Sequence, residues 1–70
     1  MYKNLLAEIA REGKKRQEVA KEAGMGPVTL SEKLNGKRDF KLSEMIALRK
    51  AINAENLTLD FLFERDEAEG

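Results

Sequence analysis

Apolar side chains recur at helical spacing along most of the chain. Tyr2, Leu5, Leu6 and Ile9 fall at i, i+3, i+4 and i+7, which puts one apolar stripe on a first helix that stops at Gly13. From about Lys15 to Ala23 the stripe is narrower, carried by Val19, Ala20 and Ala23, and Gly24 follows where a left-handed residue ends a helix. Gly26 and Pro27 open a third segment, because proline suits a first helical turn whose amide hydrogen has no intrahelical partner. Leu30 and Leu34 point inward from it, and Asn35 and Gly36 end it. Lys37 to Lys41 reads as a basic, exposed connection. Ser43 is the expected cap of a fourth helix running to about Asn53, with Leu42, Met45, Leu48 and Ile52 on its buried side. Thr58 is expected to cap a last turn or two that sets Leu59, Leu62 and Phe63 against the core. No stretch alternates apolar and polar residues long enough for a strand. The predicted class is all-α, with five helices.

Length narrows the organisation further. Seventy residues make a single domain, 1–70, with an ordered core of about residues 2–64 and an acidic tail at 65–70. A chain this short hides only about 60 % of its unfolded surface, so its core must be compact and helix-rich or assisted by a disulfide, metal or partner. Cysteine and histidine are both absent, which removes disulfides, thiolate or imidazole metal sites and the commonest nucleophile and general base. No metal, cofactor or enzymatic activity is expected. There is no apolar run near 18 residues and no secretory pattern, so a cytoplasmic location is expected and a membrane partner is not.

Charge is balanced overall but not along the chain. Residues 1–38 carry nine basic and five acidic side chains, a net of +4, and residues 39–70 carry four basic and eight acidic, a net of −4. Such a split can give one face an attraction for phosphate while the whole molecule stays neutral.

The spacing Val19, Ala20, Ala23, Gly24, Met25, Leu30 is the informative pattern. Two helices crossing at about 90–120° through a three- or four-residue turn need a small residue at their contact and a glycine in the turn. Ala20 and Gly24 supply these. Val19, Ala23, Met25 and Leu30 would seal the inside of the corner, leaving the outer side of the second helix free to enter a groove. With Val19-Ala20, Ala23-Gly24-Met25, Thr29-Leu30-Ser31, Asn35-Gly36-Lys37-Arg38 and Leu62-Phe63, the chain resembles the lambda-repressor-like, Cro-type (xenobiotic-response-element) helix-turn-helix family from its first helix to Phe63.

The resemblance implies a compact five-helix lambda-repressor-like domain with a helix-turn-helix. It also implies a phage- or prophage-type transcriptional regulator, a repressor or Cro-like switch, bound as a homodimer to a pseudo-palindromic operator in double-stranded DNA. The half-sites would lie about 34 Å apart. Pro27 to Leu34 would be the recognition helix. Its outward positions make Val28, Thr29, Glu32 and Lys33 the candidate base contacts: Val28 and Thr29 against a thymine methyl, Glu32 on a cytosine amino group, Lys33 on guanine or phosphate. Glu32 has a second option, pairing with Lys33 or another cation. Arg16, Gln17, Lys37 and Arg38 are the candidate backbone contacts, because the start of helix two and the loop after helix three flank the groove.

Three positions depart from the family pattern. Arg16 stands where a phosphate-gripping glutamine is common, Lys33 where many members bury an apolar residue, and Gly26-Pro27 where a polar pair commonly opens the recognition helix. Ile46 and Phe61 fall off the inward stripes of their helices and suit either ordinary core or a dimer patch. A rival reading keeps the fold but makes it a protein-interaction module, an anti-repressor or regulator subunit. Zero net charge, Glu32 and Pro27 motivate it.

Overall fold

In the computed structural model, which describes residues 2–65, the chain folds into five helices and, among those residues, no strand. They are α1 (Lys3–Glu12), α2 (Arg16–Glu22), α3 (Pro27–Leu34), α4 (Leu42–Ala51) and α5 (Leu59–Leu62). Each helix sends its stripe into one core, where Leu5, Val19, Leu30, Leu34, Leu48, Ile52 and Leu62 are sealed from solvent. Removing such a side chain from water contributes about 1.5–3 kcal/mol, so the seven together form the framework that fixes the helices in place. Among the described residues no helix is long and apolar enough to cross a membrane.

The helix ends explain why so short a chain can turn so often. After α2, α3 and α4 the backbone makes the same paired closure. Gly24, Gly36 and Asn53 take positive φ (77°, 83° and 54°). The next amide in each case reaches back a full turn, Met25 to Ala20, Lys37 to Glu32 and Ala54 to Arg49, each at 2.9 Å. This closure satisfies carbonyls that a helix end otherwise leaves bare. At the starts, Glu18 and Glu44 accept from the backbone N–H of Lys15 (3.0 Å) and Lys41 (2.8 Å), and the Thr58 hydroxyl accepts from Phe61 N–H at 3.1 Å.

Several expectations need correction around α4 and α5. Ser43 is not the cap; α4 begins two residues earlier than that cap implies, with Lys41 in the cap position and Glu44 as the acceptor. Leu42 is 63 % exposed rather than buried. At about 100° per residue it lies about 120° around the helix from Leu48, outside the inward arc of Met45, Leu48 and Ile52. Ile46, about 160° from Leu48, is likewise exposed, as is Phe61, so neither is ordinary core. The connection 37–41 is not wholly exposed, because Phe40 is buried. Its ring meets Tyr2 and Phe63 edge-on, with centroids 5.2 Å away in both cases. This cluster pins the α3–α4 loop to the start of α1 and the end of α5. Of the predicted tail, Arg65 is described and packs against Tyr2; Met1 and residues 66–70 lie outside the described residues.

Candidate nucleic-acid interface

α2 packs against both α3 and α4, and only residues 23–26 join α2 to α3. The short join depends on Gly24. A Cβ there would meet nothing within 4 Å, so glycine is required for its φ of +77° and not for space. Gly26 is extended, and Pro27 takes the first helical position of α3. Val19, Ala20 and Leu30 are buried in the core, with Ala23 and Met25 packed against it.

The outer side of α3 follows from helical angles. Val28 and Glu32, one turn apart, lie about 160° to either side of Leu30 and so opposite the core. Val28 is 70 % exposed, the most exposed large apolar residue described. Thr29 is half-buried on the flank. Glu32 is engaged by a cation, Arg38, whose Nη1 stands 3.5 Å from its Oε1.

Lys33 faces the other way. It lies only about 60° from Leu30, is 4 % exposed, and its Nζ donates to Glu44 of α4. The expectation that Lys33 reads bases is therefore corrected: a buried ammonium held by a carboxylate is not presented to a groove. The Lys33 hydrogen bond, followed by the backbone N–H of Lys41, holds the Glu44 carboxyl below its ordinary pKa. The pair ties α3 to α4 and so sets how α3 stands on the domain.

The candidate backbone contacts lie at the start of α2 and on the α3–α4 loop. Arg16 and Gln17 are the first two residues of α2 and both are exposed. Lys37 follows the Gly36 turn, also exposed. Among the described residues neither Arg16 nor Lys37 is in an ion pair. Arg38 is 59 % exposed despite its contact with Glu32.

The start of α2 is held from below by Lys14, whose Nζ donates to Glu22 (2.8 Å) and to the Ala51 carbonyl at the end of α4 (2.7 Å). Its pKa is raised, first by the Glu22 hydrogen bond and in part by the nearby carboxylates of Glu12 and Glu18. Asn53 completes this anchor by donating to Glu12 at 2.9 Å. Two of the basic residues that give the N-terminal half its excess, Lys14 and Lys33, are thus consumed inside the fold.

No family model, curated protein or solved structure matches this chain. Function must be argued from the arrangement itself. That arrangement is an apolar and neutral helix face at Val28 and Thr29, with exposed cations on α2 and on the α3–α4 loop. Among the described residues no group of three or more carboxylates comes together that could hold a metal ion. Sequence reasoning missed Glu44 and Lys14, although Glu44 stands three residues after the position that starts α4, where a carboxylate closes a helix end.

Proposed function

We propose that this chain is a sequence-specific duplex-DNA-binding regulator of the lambda-repressor-like helix-turn-helix type, with α3 entering the major groove. One observation carries the reading. The outer side of α3 is left uncovered at Val28, and Arg16 at the start of α2 and Lys37 and Arg38 on the loop after α3 are exposed. A helix in a groove needs a low-charge face toward the bases and cations toward both phosphate walls. In this reading Val28 and Thr29 supply apolar contact to thymine methyls, Gln17 adds a neutral donor to a phosphate, and Glu32 acts chiefly on Arg38. With few bidentate groups on the helix, discrimination leans on DNA shape as well as on base edges.

Selection of bound sites from a random duplex pool, followed by titration at several salt concentrations, tests the reading. Three phosphate contacts per monomer give a slope of log affinity against log salt of about −2.7. Absence of duplex binding at low salt, or binding indifferent to salt, overturns it.

A second reading is favoured by a different observation. Val28, Leu42, Ile46 and Phe61 are all large, apolar and exposed, and such surface suits a protein partner or a second copy of the chain. Reversing the charges at Lys37 and Arg38 separates the two. Loss of duplex affinity with the fold intact supports the regulator; an unchanged molecule that still binds a protein partner supports the interaction module.

A further inference from the structure

Arg65 falls in the segment that the sequence pattern assigns to an acidic tail, yet it lies across the loop that presents Lys37 and Arg38. Its Nη2 is 3.4 Å from the position a Cβ would take on Gly36. Its Nη1 is 3.9 Å from Oδ1 of Asp39, and its Cζ stands 5.6 Å from the centre of the Tyr2 ring. Three elements converge to place it there. Phe63, two residues earlier, and Phe40, next to Asp39, both pack on Tyr2. The aromatic cluster therefore brings the end of the described chain onto the α3–α4 loop and offers the guanidinium a ring face to stack on.

The consequence is electrostatic. Asp39 is the acid of the 36–39 loop, and Arg65 meets it at the outer reach of an ion pair, its carboxylate 91 % exposed, beside the point where Lys37 and Arg38 are displayed. The guanidinium is not buried in doing so, since 44 % of its side chain remains exposed. A planar, always-charged group held on one side by a ring and a carboxylate keeps its remaining donors free for a second anion, and the fork of an arginine matches a phosphate.

We propose that Arg65 is a further DNA-backbone contact, a cation that extends the phosphate-binding edge formed by Lys37 and Arg38. This inference rests on the duplex-binding reading above.

The test uses the full chain and a duplex selected by the wild type. Arg65→Gln lowers the magnitude of the salt slope by about 0.9 per monomer, so that the affinity lost between about 50 and about 200 mM salt shrinks roughly 3.5-fold per monomer. Affinity falls by the same factor on preferred and random duplexes, because a phosphate contact carries no sequence information. Arg65→Lys restores most of the slope, which a purely structural role for the stacked guanidinium would not do. Thermal unfolding of each variant confirms the fold. An unchanged slope in Arg65→Gln, alongside a reduced slope in Lys37→Gln, overturns this inference alone. A wild type that binds no duplex overturns the parent reading and this one with it.

Discussion

Lys33 and Glu44 offer the sharpest test of how the candidate interface is built. The Lys33 side chain is 5 % exposed and that of Glu44 21 %, and the pair joins α3 to α4. Breaking a buried ion pair by removing one partner costs about 3–5 kcal/mol, because the other charge is left without compensation. Glu44 keeps some access to water and the backbone N–H of Lys41, so Lys33→Met should cost less than that range, about 2 kcal/mol. Glu44→Gln should cost about 3 kcal/mol, since it strands the more deeply buried ammonium. The double variant should return to within about 1 kcal/mol of the wild type, as replacement of a whole buried pair usually does. In a domain this small each kcal/mol moves Tm by about 4–8 °C, so thermal or urea unfolding resolves the cycle. The pair also sets a pH dependence. Glu44 has a lowered pKa in the folded state, so its contribution is complete above the unfolded carboxylate value of about 4.3 and disappears as pH falls through the lower folded value. The stability of the wild type relative to the double variant should fall with pH only in that acid window. Single variants that each cost under about 0.5 kcal/mol and simply add would refute the reasoning.

Three further outcomes follow from the same geometry. Gly24→Ala should destabilise by about 1–2 kcal/mol through its left-handed backbone alone, since its Cβ has open space; urea unfolding checks it, and a neutral result would mean the α2–α3 turn can rearrange. Phe40→Ala should cost about 3–5 kcal/mol by emptying the aromatic cluster, whereas an exposed loop residue would cost almost nothing. Val28→Ala should leave Tm nearly unchanged, Val28 being 70 % exposed, while altering which duplexes are selected from a random pool; an unchanged selection would remove Val28 from the base-reading set.

Most of the architecture could be read from periodicity because the helices are short and several of them stop at a residue with a strong backbone preference. Gly13, Gly24 and Gly36 mark three of those ends, and Thr58 marks a start. Side-chain direction was legible only where helical angles were followed through. The expectation for Lys33 rests on the outward recognition-helix positions that the resemblance implies. Yet its position about 60° from Leu30 already placed it on the inward arc, and a long stem lets an ammonium reach a buried carboxylate. Leu42 is the converse case, an apolar residue assigned to the core by its type although its angle from Leu48 points outward. Phe40 and Arg65 were illegible for a different reason. Neither belongs to a periodic segment, and what fixes them is a contact between the chain's two ends and its middle loop, a pairing that no local spacing encodes.

The charge balance of the chain bears on the proposal less than it first suggests. The domain extends 30 × 26 × 22 Å, while exposed charges at physiological salt are screened over about 8 Å. An approaching phosphate therefore senses the nearest few side chains and not the total. What matters is which cations the fold leaves outside. Lys14 and Lys33 are drawn inward to hold α2 and α3 in place, and Arg38 is shared with Glu32. Arg16 and Lys37 remain unshared among the described residues. The basic excess of the N-terminal half thus divides into a part that ties α2 and α3 to α4 and a part that faces outward. A duplex would then be held by a few phosphate contacts around a helix face that is apolar at its centre, which makes DNA shape and thymine methyls the features this face is best suited to read.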